Sequence, residues 1–182
     1  MATVSQKQDI RKLSLAEITS FLVSKGEKAF RAKQIYAWLW QKSAHSFEAM
    51  TNLSLTLRQM LNESFEITTL TVDQQQTSSD RTIKSTFKLY DDHIIEGVLI
   101  PASERMTACV SSQVGCSLTC KFCATGYMSR KRNLEPSEIY DQVVAIARQA
   151  EENYQQPLSN IVYMGMGEPL LNYANVLKSI EH

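Results

Sequence analysis

Cys116, Cys120 and Cys123 stand in the order C-x3-C-x2-C, within Gly115-Cys-Ser-Leu-Thr-Cys-Lys-Phe-Cys-Ala-Thr-Gly126. This spacing constrains the chain more than any other feature. The fourth cysteine, Cys109, lies just upstream, so every cysteine falls between residues 109 and 123. A secreted disulfide framework disperses its cysteines to staple distant segments, whereas one tight group speaks for metal or redox chemistry. Three thiolates on one loop suit an iron–sulfur cluster, whose usual protein ligands are thiolates. A zinc knuckle with Cys109 as fourth ligand is the competing reading. Zinc sites usually pair ligands as C-x2–4-C at two separated places, and here Cys109 would have to fold back along a strand with no histidine nearby. A buried group of unliganded cysteines is the remaining alternative.

The 182 residues suffice for one ordinary domain, or for a small domain with part of a larger one. A hydrophobic share of 43%, with six glycines and four prolines, speaks for a folded, soluble chain. No apolar run approaches the ~20 residues that span a bilayer. The start, Met1-Ala-Thr-Val-Ser-Gln-Lys7, lacks a secretory pattern. The expectation is a cytoplasmic protein without a membrane partner. Net charge is zero, but residues 1–60 carry nine Lys/Arg against four Asp/Glu, residues 61–100 three against seven, and residues 101–182 seven against eight. The early basic excess suits an anionic partner such as RNA, and equally a solvated lysine-rich surface.

Fold class follows from a change of periodicity. Residues 1–62 read as helices. Ser14-Leu-Ala-Glu17 fits a capping box, with Leu13 as a staple residue, and the helix fades near Gly26. A second helix fits Phe30 to Lys42, with Ile35 and Leu39 sharing a buried face and Trp38 beside them. Lys28, Arg31 and Lys33 crowd its start, against the helix dipole, which fits phosphate contact or a solvated end. A third helix fits Leu55 to Leu61 behind Asn52-Leu53-Ser54. Residues 63–100 then alternate. Gln74 to Asp80 reads as a polar loop, Thr82–Tyr90 as a half-buried strand, Asp91-Asp92 as a turn and His93–Ile100 as a second strand. Glu96 falls on the face shared by Ile94, Val98 and Ile100, where a carboxylate is costly to bury unless paired; it fits either an open edge of the hairpin or a site. From residue 101 the order is strand (Thr107–Val114), cysteine loop, helix from Pro136 with an apolar stripe at Ile139, Val143, Ile146 and Ala150, and a buried-type strand (Asn160–Met164). Gly165-Met-Gly-Glu-Pro169 follows, then a helix from Tyr173. This is an α/β chain with the beginning of a parallel βαβ sheet.

Three cysteines leave the fourth iron of a cubane open, and an open iron can chelate the amino and carboxylate groups of a methionine moiety. Radical enzymes use S-adenosylmethionine (SAM) and an Fe–S cluster in that way. Gly165-Met-Gly-Glu168-Pro lies at the end of a parallel strand, the edge where α/β sheets bind ligands. Its glycines let the backbone come close, and Glu168 offers a carboxylate to a ligand ammonium. An ordinary Gly-Glu-Pro turn has the same composition. Phe122 also fits a core aromatic.

These residues resemble the dual-specificity ribosomal-RNA/transfer-RNA adenine-C2 methyltransferases, a radical SAM family. The likeness is carried by Phe30-Arg-Ala-Lys-Gln-Ile-Tyr-Ala-Trp-Leu39, Met50-Thr-Asn-Leu-Ser54, Glu96-Gly-Val-Leu-Ile-Pro101 and Cys109-Val-Ser-Ser-Gln-Val-Gly-Cys116, and continues through Arg132-Asn-Leu134 and Met164-Gly-Met-Gly-Glu-Pro-Leu-Leu-Asn172. The resemblance implies a helix-hairpin-helix-like RNA-binding domain over 1–62, a β-hairpin segment over 63–100, and the start of a partial (β/α)6 barrel over 101–182. It implies that Cys116, Cys120 and Cys123 hold a [4Fe–4S] cluster, that Gly167 and Glu168 bind SAM, and that Phe122 lies near its adenine. Glu96 takes the place of the proton acceptor, and Cys109 that of a cysteine forming a redox disulfide during turnover. Family chemistry spends two SAM molecules, one methylating a cysteine near the C-terminus and one yielding the radical that activates that methyl for attack on adenosine C2. The implied partners are 23S rRNA, tRNA and an electron donor such as flavodoxin. All four cysteines here have other roles, so this chain is expected to lack the methyl carrier and to be inactive alone. Adenosine C8 methylation by the related antibiotic-resistance enzymes, or a non-catalytic zinc- or RNA-binding fragment, are the rival functions.

Overall fold

The computed structural model describes residues 7–181, which divide into a unit ending at Thr68 and one beginning at Thr69. In the first, Ser14 Oγ accepts the Glu17 N–H at 3.2 Å and Glu17 Oε2 accepts the Ser14 N–H at 2.7 Å. That capping box starts α1 (Leu15–Ser24) as its sequence predicts. α2 (Arg31–Trp40) lacks a side-chain cap, and α3 (Leu55–Ser64) is capped by Ser54. The two ends of the unit meet where β1 (Gln8–Asp9) pairs in parallel with β2 (Phe65–Glu66). Beside that pair, the Thr68 hydroxyl donates to Asp9 and the Arg11 guanidinium to the Thr68 carbonyl. The buried aromatic of α2 is Trp40, 3% exposed, and not Trp38. Ala32, Ile35 and Leu39 set the stripe, and residue 40 falls at i+8 from Ala32 on that face. Trp38 stays half-buried, its indole N–H on Asn52 Oδ1 at 2.5 Å.

The second unit is built on one sheet. β4 (Ile83–Lys88) and β5 (Ile94–Ala102) form the expected hairpin, flanked by β3 (Thr71–Thr77) on one side and β6 (Arg105–Cys109) on the other, all antiparallel. α4 (Pro136–Tyr154) then crosses over to β9 (Asn160–Val162), which runs parallel to β6. The order is β3-β4-β5-β6-β9. A small antiparallel pair, β7 (Gln113–Val114) and β8 (Arg132–Asn133), lies between β6 and α4 in the chain, and α5 (Tyr173–Ile180) follows β9. α4 buries Ile139, Ile146 and Ala150 in one core with Phe87, Ile95 and Leu99. A Cβ on Gly97 would lie 2.7 Å from the Phe87 ring and 3.1 Å from Ile146, so glycine sets how closely the helix approaches. Among the described residues no helix is long and apolar enough to cross a membrane.

Four sequence expectations need correction here. Much of the stretch read as a polar loop, Gln74 to Asp80, belongs to β3, an edge strand exposed at every residue; backbone pairing with β4 holds it, and polar side chains suit a sheet edge. Glu96 does not share a buried face, because α4 covers Ile95, Gly97 and Leu99 while Ile94, Glu96, Val98 and Ile100 point to the opposite side. Glycine at 97 hid the true core face from the alternation. The predicted strand Thr107–Val114 breaks after Cys109 and resumes at Gln113. Finally, β9 is not fully buried. It occupies a sheet edge, with Ile161 42% and Met164 79% exposed.

Candidate metal centre and cofactor motif

The cysteine loop is closed at its base by β7 and β8, with the Lys131 N–H on the Val114 carbonyl at 2.8 Å and the Cys116 N–H on that of Met128 at 3.3 Å. Gly115 turns the chain out of β7 at φ +72°, where a Cβ would sit 2.4 Å from the Ser129 carbonyl oxygen. Within the loop, the Cys123 N–H bonds the Cys120 carbonyl at 3.1 Å, and a 3-10 turn at Ala124–Tyr127 follows. Cys116, Cys120 and Cys123 are half-buried free thiols, and Phe122 between them is 94% exposed. Cys116 Sγ accepts the Leu118 N–H at 3.4 Å. The Gly126 and then the Thr125 backbone N–H groups hold the Cys123 thiol below its usual range. N–H donors aimed at sulfur stabilise thiolate, the form that binds iron, so the chemistry of this donor set fits an iron–sulfur cluster. Among the described residues no three His, Cys, Asp or Glu side chains converge on a point that would hold a metal ion. The thiols share one loop without a preformed cage.

The second motif is locked to the strand end that feeds this loop. Gly165 N–H bonds the Val110 carbonyl at 3.0 Å, Ser112 N–H the Met166 carbonyl at 2.9 Å, and Met166 N–H the Ser111 hydroxyl at 2.8 Å. That hydroxyl donates in turn to the Glu96 carbonyl at 2.6 Å. A Cβ on Gly165 would meet Ser111 N at 2.8 Å, and one on Gly167 (φ +95°) would meet Gln113 Cβ at 2.5 Å. The glycines therefore serve the close approach of the chain to itself. Glu168 is half-buried and caps a short turn, its Oε1 accepting the Leu170 N–H at 3.0 Å, which leaves Oε2 without a protein partner among the described residues.

Glu96 and Cys109 share the face of the sheet opposite α4. Cys109 is registered with Val98 across β5 and β6, and Glu96 stands two residues from Val98 on the same side. Lys84 Nζ lies 3.2 Å from Glu96 Oε1, with both side chains nearly half exposed. Burial pushes the Cys109 thiol up, partly offset by the Met164 backbone.

Sequence reasoning missed three polar supports. Gln142 occupies the buried side of α4; its Oε1 accepts the Ser111 N–H at 2.9 Å and its Nε2 donates to the Ser111 carbonyl at 3.2 Å, satisfying the backbone where β6 gives way to β7. Its signal was an amide beside the apolar stripe. Arg132, at the exit of the cysteine loop, is bidentate to Glu138 at 2.7 and 2.8 Å and bonds Asp91 at 2.6 Å. Burial would raise the Asp91 carboxyl, but Arg132 and His93 outweigh it and hold the carboxyl down at about 2. Gln113 is the third. In the helical unit, Lys28 and Lys33 are exposed at the start of α2, while Arg31 is engaged with Gln34 and Asn52.

Comparison with known proteins finds matches for both parts of the chain. Residues 8–67 match the Ribosomal RNA large subunit methyltransferase N-terminal domain, and residues 110–181 match the Radical SAM superfamily. A probable dual-specificity RNA methyltransferase RlmN of Cytophaga hutchinsonii is 64% identical over 180 residues, covering 99% of this chain and 49% of its own length. The dual-specificity RNA methyltransferase RlmN 2 of Myxococcus xanthus is 49% identical over 173 residues, covering 92% of this chain and 46% of its own. A crystal structure of a radical SAM methyltransferase from Sphaerobacter thermophilus superposes with a TM-score of 0.81 at 42% identity, covering 95% of this chain and 51% of that one. Fold and cysteine loop together thus define a radical SAM domain preceded by a helical module. More narrowly, the chain belongs to the RlmN-type radical SAM RNA methyltransferase family, for which a [4Fe–4S] cluster and SAM are implied. It spans about half the length of the curated relatives it matches.

Proposed function

We propose that these residues form the first part of a cytoplasmic RNA methyltransferase that adds a methyl group to C2 of adenosine in 23S rRNA and tRNA. The observation that carries the proposal is the convergence at one end of the sheet: the three-cysteine loop and the Gly165–Glu168 motif leave adjacent strand ends, with Glu96 and Cys109 on the face beside them. When bound, the cluster and SAM supply one-electron chemistry that makes a methyl group reactive toward an electrophilic aromatic carbon. Cys116, Cys120 and Cys123 hold the cluster as thiolates, and Gly167 and Glu168 bind the methionine end of SAM, Glu168 through its free carboxylate oxygen. Phe122, exposed on the same loop, covers the adenine. Glu96 takes the proton leaving C2, and the Cys109 thiolate attacks the sulfur of the cysteine that carried the methyl group. A disulfide forms as that sulfur's bond to the transferred carbon breaks, and the carbon keeps the electron pair and takes up a proton.

In this reading residues 1–62 form a helix-hairpin-helix-like module whose Lys28 and Lys33 contact RNA phosphate, residues 63–100 lead into the core, and residues 101–182 begin a partial (β/α)6 barrel. An electron donor such as flavodoxin would be the cluster's redox partner. The four cysteines present are all assigned, so the methyl carrier lies outside these residues, and they do not complete a turnover alone. The test uses the full-length enzyme, reconstituted anaerobically with iron and sulfide and supplied with SAM, reductant and RNA. Methyl at adenosine C2 supports the proposal, and methyl at C8 replaces it with the reaction of the antibiotic-resistance relatives.

A further inference from the structure

We propose that Gln113 is a positioning residue that fixes the Glu168 strand end against the cysteine loop, and so sets the separation of the two groups between which SAM is held. The inference rests on the reading of Cys116, Cys120 and Cys123 as cluster ligands and of Glu168 as a SAM-binding residue. Gln113 is fully buried (0% exposed), in β7 at the entry to the cysteine loop. Its Oε1 accepts the Glu168 N–H at 2.9 Å, and its Nε2 donates to Asn133 Oδ1 at 2.8 Å. Asn133 lies in β8, where the loop returns, and its Nδ2 donates to the Leu171 carbonyl at 3.1 Å. The Leu171 N–H closes the same short turn on the Glu168 carbonyl at 3.0 Å. Two amides at the base of the cysteine loop therefore grip both ends of the turn that carries Glu168.

The residue type is dictated by this position. One side chain must accept from Glu168 and donate to Asn133 at the same time, which an amide does and a carboxylate or thioether does not. Backbone contacts add to the grip, since the Gln113 N–H bonds the Met166 carbonyl at 3.2 Å and Gly167 packs directly on Gln113. A ligand bridging two strand ends binds tightly only if their separation is set before it arrives. Removing Gln113 leaves the Glu168 N–H unpaired and frees the turn, while the three thiols stay on their own loop.

The experiment compares full-length wild type with Gln113→Met and Gln113→Glu after anaerobic reconstitution. The proposal predicts wild-type iron and sulfide content in both variants, a SAM Kd raised about tenfold or more in Gln113→Met, and a smaller rise in Gln113→Glu, which keeps the acceptor for Glu168. It also predicts that the change SAM induces in the EPR spectrum of the reduced cluster is lost in Gln113→Met. Wild-type SAM affinity in Gln113→Met overturns the proposal, as does a loss of iron in step with the loss of SAM binding, because the residue then serves only the loop's fold. If the wild-type enzyme takes up no cluster or no SAM, the functional reading fails instead. Amide hydrogen exchange on the cluster-free full chain then decides the inference: faster exchange over residues 165–171 in Gln113→Met, with α4 unchanged, supports it, and equal exchange refutes it.

Discussion

Arg132 shows how single residues hold the site. Its guanidinium joins the hairpin turn, through Asp91, to the first turn of α4, through Glu138, from a position in the strand that closes the cysteine loop. Glu138 is 5% exposed, so Arg132→Met leaves a buried carboxylate without its counter-charge, held only by the Glu135 N–H at 2.9 Å. Urea unfolding is expected to show a loss of about 2 to 3 kcal/mol. Asp91 has a folded value near 2 against an ordinary 3.8. Its contribution is therefore complete above about pH 4 and disappears as pH falls toward 2. The urea midpoints of wild type and Asp91→Asn should differ above pH 4 and converge below it. Gly97→Ala forces a methyl against the Phe87 ring at 2.7 Å and is expected to cost about 1 to 3 kcal/mol in the same assay. The cysteines were legible because one local spacing carries their chemistry. Gln113 and Gln142 were not, because their partners Glu168 and Ser111 lie 55 and 31 residues away, and no local pattern points across that distance.

Elements were legible where local chemistry decides them. The Ser14–Glu17 box, the Ser54 cap and Pro136 at the start of α4 each appear where their residues predict. Ser14→Ala is expected to lower the thermal stability of the helical unit by an amount equivalent to about 1 kcal/mol, measured by circular dichroism. β3 was missed because an edge strand of polar residues carries no hydrophobic signal; its evidence is the pairing with β4 alone. β9 misled in the opposite direction. Its apolar run identified a strand correctly, but burial depends on what stands beside it, and among the described residues only β6 pairs with it. The break between Cys109 and Gln113 was hidden because Gln142 supplies the hydrogen bonds that a continuous ladder would otherwise provide.

At the scale of the whole molecule, one sheet places the cysteine loop, the Glu168 turn and the Glu96–Cys109 face in a single region, and the matched relatives run to about twice this length. Everything proposed for that region depends on the cysteine loop carrying a cluster, with catalysis belonging to the full-length enzyme. The decisive measurement is iron and acid-labile sulfide per chain after anaerobic reconstitution of the full-length protein, with Cys116→Ala, Cys120→Ala and Cys123→Ala beside it. A brown protein with iron and sulfide in the ratio of a [4Fe–4S] cluster, colourless in each variant, is the predicted result. A colourless wild-type protein holding stoichiometric zinc and no sulfide would contradict it.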